Sequence, residues 1–129
     1  MPATRPIPRR TVFLAAPPLA LLLVGCSARA IVEQGIVVSV TNTGTAPISA
    51  VAVAYTGGMV RVPTLAPGAA HHARIAATSD SHLDLDFTDA TGRVYTQVIG
   101  VYFEPGYTGS VAILVDGAGG VTWRDHIRL

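Results

Sequence analysis

The sequence predicts an all-β protein, an antiparallel β-sandwich of seven or eight strands built around one core. The chain has 129 residues, which suffices for one ordinary domain. From residue 26 onward, 32 residues are β-branched (Val, Ile or Thr) and only 10 are Leu, Met, Glu, Gln or Lys. This balance favours strands over helices. Apolar residues alternate with polar or small ones, and turn-forming residues interrupt them every 8 to 14 positions, a spacing typical of antiparallel hairpins.

Eight runs carry the strand pattern. The clearest is residues 83–88, where Leu83, Leu85 and Phe87 alternate with Asp84, Asp86 and Thr88, as expected for a half-buried strand. The predicted strands are residues 36–41, 50–55, 60–65, 71–77, 83–88, 94–102, 111–115 and 121–124. Segments rich in Gly, Pro, Asn and Asp separate them, and these predict turns at residues 42–45, 56–58, 66–68, 89–92, 104–106 and 116–120.

The first 26 residues differ in composition from the rest. An arginine-bearing start is followed by a 13-residue apolar run, Val12 to Val24, and then by Gly25 and Cys26. This order is typical of a secretory signal peptide. As a helix the run would extend about 20 Å, against about 30 Å for the hydrocarbon core of a bilayer, so a membrane-spanning anchor is not expected.

Leu23-Val24-Gly25-Cys26 resembles the lipobox of bacterial lipoprotein precursors. The resemblance implies that Cys26, the only cysteine of the chain, is acylated and becomes the first residue of the mature protein. It divides the chain into a signal peptide (1–25), a lipidated cysteine with a short tether (26–35) and a β-sandwich domain (36–129). Ser27 follows the cysteine, at the position where an aspartate tends to retain members of this family at the inner membrane, so the resemblance implies anchoring at the periplasmic face of the outer membrane. A fortuitous lipobox would instead leave a free periplasmic module.

The segment Leu65-Ala66-Pro67-Gly68-Ala69-Ala70-His71 is similar to the Leu-x-Pro-Gly-x-x-Tyr corner of fibronectin type III and related immunoglobulin-like domains. The resemblance implies an immunoglobulin-like sandwich in which His71 takes the place of the tyrosine whose hydroxyl ties the corner to the backbone. The lone Cys26 excludes the intersheet disulfide of true immunoglobulin domains.

Composition and motifs exclude several classes of function. All nine basic residues are arginine, so lysine-dependent phosphate binding and Schiff-base chemistry are excluded. Beyond residue 25, six arginines face eight acidic residues, a balance that argues against a nucleic-acid partner. No hydrolase, redox or nucleotide-binding motif is present. We therefore expect no enzyme and no cofactor, and predict a membrane-anchored lipoprotein whose β-sandwich serves as a non-catalytic binding or structural module in the cell envelope.

An alternative function rests on His82, Asp84 and Asp86, which lie at every second position of one predicted strand and so share a face. An imidazole and carboxylates are ligands for a divalent metal ion, so a periplasmic metal-binding protein is the competing hypothesis. Their spacing along a strand, about 6.6 Å, is too wide for all three to reach one ion without bending the strand. The structural interpretation is a solvated face whose charges keep a sheet edge from pairing with neighbours.

Three aromatic residues, Tyr102, Phe103 and Tyr107, surround the predicted turn at Pro105-Gly106 and are the candidate interaction residues. Aromatic side chains at a turn are good anchors for a partner. They also close the end of a sandwich, and strand alternation requires one of Tyr102 and Phe103 to face inward. An exposed Tyr107 would favour an interface, and a Tyr107 packed under the turn would not.

Overall fold

The structure, a computed structural model, describes residues 35–129. The predicted signal peptide, Cys26 and most of the tether lie outside the described residues. The described part contains eight strands and no helix, and each strand falls on one of the eight predicted runs. The strands are β1 (Ile36–Asn42), β2 (Ser49–Tyr55), β3 (Gly58–Val62), β4 (Ala70–Ile75), β5 (Ser81–Thr88), β6 (Val94–Phe103), β7 (Thr108–Val115) and β8 (Val121–Arg128).

The strands form two four-stranded sheets, with the orders β4-β1-β7-β8 and β3-β2-β5-β6. Three hairpins, β2–β3, β5–β6 and β7–β8, join neighbours within a sheet. The remaining connections cross from one sheet to the other. The prediction of an all-β sandwich is confirmed.

One strand pair departs from the predicted antiparallel arrangement. β1 runs parallel to β7, with Ile36 beside Gly109 and Asn42 beside Val115, whereas the other five pairs are antiparallel. Turn spacing predicts only how consecutive strands pair, and these two strands are separated by most of the domain. The strand order also differs from that of a constant-type immunoglobulin domain, whose first two strands share one sheet, since here β1 and β2 lie in different sheets.

The core is one layer of side chains between the sheets. In β1 and β5 every second residue is buried, so each strand contributes one apolar face to this layer. Phe87 is fully buried and stacks on the half-buried Tyr95 of the neighbouring strand, with ring centroids 4.8 Å apart. The largest fully buried side chains are Phe87, Phe103, Ile36, Ile48, Ile75, Leu83, Leu85, Ile99, Ile113, Val40, Val51 and Val53.

A buried asparagine ties together the end of β1 and the crossing from β3 to β4. Asn42 is fully buried, and its side-chain Nδ2 donates to the backbone carbonyls of Ala46 and Leu65, each at 2.9 Å. Its Oδ1 accepts from the backbone N–H of Gly44 at 2.9 Å. All three bonds go to backbone groups outside the eight strands, and the Leu65 carbonyl also accepts from the N–H of Ile48 at 3.0 Å. The side chain therefore compensates for its own burial and fixes two loops at once.

The backbone of Asn42 adds to this connection. Its N–H donates to the carbonyl of Ala69, and its carbonyl accepts from the N–H of Gly68 at 2.7 Å. The corner that resembles the fibronectin motif is thus tied to the sandwich by Asn42. His71 lies on β4 opposite Val40 and is half-buried, and no side-chain bond from His71 to the corner is observed among the described residues. The resemblance assigned the hydrogen bond that holds the corner to residue 71. In the structure, Asn42 forms the bonds that hold it.

We predict that Asn42→Ala lowers the free energy of unfolding by roughly 3 kcal/mol, because three buried or half-buried hydrogen bonds are lost and the Leu65 carbonyl keeps only the N–H of Ile48 as a donor. Asn42→Asp keeps the size of the side chain but cannot donate when ionised, so we expect a loss at least as large. The exposed loop substitution Thr45→Ala should change stability by less than about 0.5 kcal/mol. Urea denaturation measures all three, and an Asn42→Asp variant as stable as the wild type would contradict this role.

We predict a second large loss for Gly109→Ala in β7. Gly109 has φ of +127°, and a Cβ there would overlap the backbone carbonyl oxygen of His126 on β8. Strain and displacement of β8 should together cost at least about 2 kcal/mol. Gly100→Ala is the matched control, since a Cβ at that strand position meets only the Trp123 ring, at 3.8 Å. Equal melting temperatures for the two variants would contradict the prediction.

Candidate functional site

A cavity of about 370 Å³ opens at the end of the sandwich where β1 begins. It lies between the residues that follow β4 and the connection from β6 to β7, and the start of β1 forms its inner wall. Its volume lies in the range of small-molecule sites. Its lining is mainly apolar, with the Glu104 carboxyl group as the one acidic side chain. The lining residues are Gly35, Ile36, Ile75, Ala76, Ala77, Phe103, Glu104, Pro105, Gly106, Tyr107 and Thr108.

The three candidate interaction residues have different environments. Phe103 is 1% exposed, belongs to the core and forms part of the cavity wall. Tyr107 is half-buried, packs against the core and also lines the cavity. Tyr102 is 56% exposed, points to the opposite face of β6 and does not line the cavity. Strand alternation predicted that one of Tyr102 and Phe103 faces inward, and Phe103 is that residue.

A tight turn shapes the mouth of the cavity. The N–H of Tyr107 donates to the carbonyl of Glu104 at 3.1 Å, which closes the turn over Pro105 and Gly106. The Tyr102 hydroxyl donates to Glu104 Oε2 at 2.6 Å. This hydrogen bond, followed by desolvation, raises the pKa of Tyr102 to about 12. The phenol therefore stays protonated at neutral pH, where it holds the carboxylate in place and supplies no general base.

The residues of the metal hypothesis lie on the outer face of β5. His82 Nε2 is 3.4 Å from Asp84 Oδ1, and both side chains are well exposed. Within residues 35–129 no group of three or more His, Cys, Asp or Glu side chains is close enough to hold a metal ion. The structural interpretation also needs correction, because β5 lies between β2 and β6 and is not a sheet edge. The charged side chains of β5 therefore keep the middle of a sheet face exposed to water, and they do not protect an edge.

At the end of the sandwich opposite the cavity, two acidic residues accept hydrogen bonds from the loops in which they lie. Asp89 Oδ1 accepts from the N–H and hydroxyl of Thr91 and from the N–H of Arg93, and its Oδ2 accepts from the Tyr95 hydroxyl. These bonds, the Thr91 hydroxyl first, lower the pKa of Asp89 to about 2.

Asp116 Oδ1 accepts in a similar way from the N–H groups of Ala118 and Gly120, each at 2.8 Å. Both carboxylates thus stabilise hairpin turns. The neighbouring surface depression of about 180 Å³ is lined by these loops. A structural role accounts for both acids without a ligand.

Sequence reasoning missed most of the cavity. Its walls come from three segments far apart in the chain, and much of the lining is backbone and small side chains. The one available signal was the aromatic cluster around Pro105-Gly106, which supplied Phe103 and Tyr107.

Comparison with known proteins identifies a structure of similar fold and identifies no family. No family model matches the chain, and no curated protein matches it. A protein from Eubacterium rectale, solved by NMR, has a similar fold, with a TM-score of 0.52 and 17% sequence identity. The alignment covers 73% of this chain and 89% of that one. At this identity the likeness supports the all-β fold alone. Within the described residues, no helix is sufficiently long and apolar for a transmembrane span.

The Asp89 turn gives a pH prediction. The pKa of Asp89, about 2 in the folded chain, lies below the 3.8 of an unperturbed aspartate, so ionised Asp89 stabilises the fold above about pH 4, and this contribution is lost as the pH falls toward 2. We expect Asp89→Asn to be less stable than the wild type by a constant amount between pH 5 and 8. The difference should shrink as the pH is lowered from 4 to 2. Urea denaturation at each pH provides the test, and a difference that widens on acidification would contradict it.

Proposed function

We propose that this chain is a bacterial lipoprotein, anchored through acylated Cys26 at the periplasmic face of the outer membrane, whose β-sandwich is a non-catalytic binding or structural module of the cell envelope. The observation that carries the proposal is the position of the only cysteine, which directly follows a 13-residue apolar run and Gly25. Core packing gives no reason for a lone cysteine at that place, and export followed by acylation does.

The anchor proposed here is strong. Each buried CH₂ group contributes about 0.8 kcal/mol, so several acyl chains on one residue hold a protein to a bilayer essentially permanently. The tether from Ser27 to Gly35 is nine residues long, so even fully extended it spans only about 30 Å. A domain on such a tether would work close to the lipid surface.

The cavity end supports a binding role for the module. Gly35 lines the cavity, so the chain leaves the domain toward Cys26 from that end. Phe103 and Tyr107 contribute aromatic walls there, and Glu104 contributes the charge. We propose this end, and not the acidic face of β5, as the contact surface of the module. Tyr107 is half-buried and packs on the core, which by the sequence criterion favours its structural role, and its place in this proposal rests only on its position at the cavity wall.

We predict that the wild-type protein, expressed in a Gram-negative host, stays with the membrane pellet after high-salt and alkaline washes. Cys26→Ser removes the sulfur that carries the acyl chains, so this variant should appear in the soluble periplasmic fraction. The ratio of protein in the pellet to protein in the supernatant should fall at least tenfold. Ser27→Ala is the matched control, because it changes the adjacent residue and leaves the sulfur in place. It should remain in the pellet.

The circular dichroism spectrum of Cys26→Ser should still show an all-β domain, since Cys26 precedes the first strand. A Cys26→Ser variant that pellets as firmly as the wild type would overturn the anchor. A wild-type protein found in the soluble periplasm would favour the free module instead.

A further inference from the structure

β6 is the longest strand and forms one edge of its sheet. Within the described residues it pairs on one side only, with β5. Its ten residues include no charged side chain and no proline. The other three edge strands β3, β4 and β8 each carry an arginine, at Arg61, Arg74 and Arg124. Charges and prolines are the usual protection of an edge against pairing with another chain, so β6 is the edge that lacks it.

The outer face of β6 is apolar where it meets solvent. Val94 is 68% exposed and Val98 is 54% exposed, and the exposed Thr96 lies between them on the same face. Two exposed valines on the same face of an edge strand suit contact with a second surface. The carbonyl of Val98 accepts from the side chain of the adjacent Gln97 in an exposed bond of 2.9 Å. A local side-chain donor of this kind is easily exchanged for the amide of an incoming strand.

Only the first half of β6 is regular. Gly119 of the β7–β8 turn lies close to the half-buried Tyr95 ring, and the outward-facing residues Val94, Thr96 and Val98 are exposed. Residues 94–98 pair with residues 84–88 of β5 in unbroken register, and the register shifts after the pair of Leu83 with Ile99. Near Gly100 the Trp123 ring of β8 lies 3.8 Å from where a Cβ would stand. The available edge therefore consists of residues 94–98.

We propose that β6 is a self-association edge, at which residues 94–98 pair antiparallel with the same residues of a second copy. The outer-face sequence of this segment, Val94-Thr96-Val98, is the same in both directions. A two-fold axis through Thr96 sets each Val94 opposite Val98 of the second copy and the two Thr96 side chains opposite each other. Such a pairing is isologous and closed, so it forms a dimer rather than a fibre. Valine and threonine pairs across antiparallel strands stabilise a sheet.

The charges near this edge do not oppose the pairing. Asp84 and Asp86 of β5 lie one strand behind β6, opposite Val98 and Thr96. In the dimer the two Asp86 residues would be three strand spacings apart, about 14 Å, which exceeds the screening length of about 8 Å at physiological ionic strength. No acid of one copy would face an acid of the other at the contact itself.

A five-residue strand contact is small beside the roughly 800 Å² per partner of a stable interface, so the pairing is weak in dilute solution. The anchor raises the local concentration of the domain at the membrane, and to this extent the strength of the dimer rests on the proposed function. The location and register of the contact do not depend on it.

The test is disulfide trapping in the full-length protein. Thr96→Cys places two thiols on the two-fold axis, at a Cα separation within the 4.4–6.8 Å that a disulfide requires. We expect mild oxidation to give a dimer linked between the two engineered cysteines, identified by peptide mass spectrometry. Met59→Cys is the matched control, because Met59 is 52% exposed on the edge strand β3 of the same sheet. It should cross-link at least about tenfold more slowly.

Adding Val98→Lys to the Thr96→Cys variant should slow cross-linking by about tenfold, because each apolar contact between Val98 and Val94 of the second copy is replaced by a charged side chain that protects the edge from pairing. Equal rates for Thr96→Cys and Met59→Cys, no effect of Val98→Lys, or a Thr96→Cys disulfide only to a different protein would each overturn the dimer. The Cys26→Ser, Thr96→Cys double variant separates the two proposals. Trapping by this soluble variant at high concentration supports the edge even if the anchor fails, and a membrane-bound Thr96→Cys protein that does not trap overturns the edge alone.

Discussion

The fold depends on burying one layer of aliphatic and aromatic side chains between two four-stranded sheets. No disulfide can assist, because the chain has a single cysteine and it precedes the domain. The sheets are joined mainly by crossing connections, so the loops at their ends must be held as firmly as the strands. Asn42 does this at one end, since its buried amide group holds the loop after β1 and the corner before β4 together. The core therefore supplies the driving force, and a few buried polar bonds fix which loops meet.

Local features of the fold could be predicted from the sequence, and distant pairings could not. The eight strands follow from alternation, as at Leu83, Leu85 and Phe87, and the turns follow from Gly, Pro, Asn and Asp. The parallel pairing of β1 with β7 has no local signature, because nothing in Ile36–Asn42 specifies which distant strand lies beside it. Asn42 also looked like an ordinary turn residue from its neighbours Thr43 and Gly44. Its burial is decided by the corner at Leu65, 23 residues later.

For the candidate site too, local features could be predicted from the sequence, and contacts between distant segments could not. Alternation was enough to predict that Tyr102 and Phe103 point to opposite faces, and the structure places Phe103 in the core. The cavity was beyond prediction, because residues near 35, 76 and 105 build it together. The acidic pattern of β5 was visible, yet its position inside the sheet, and hence its role as a solvated central face, depends on the order of the strands.

The proposed anchor and the domain make separate demands on the chain. A core without disulfides makes no use of the single cysteine, which is the residue that the proposal assigns to acylation. The most direct measurement is the intact mass of the mature protein purified from membranes. We expect the mass of residues 26–129 plus the lipid groups on Cys26. A mature protein that starts elsewhere, or that carries an unmodified Cys26, would contradict it.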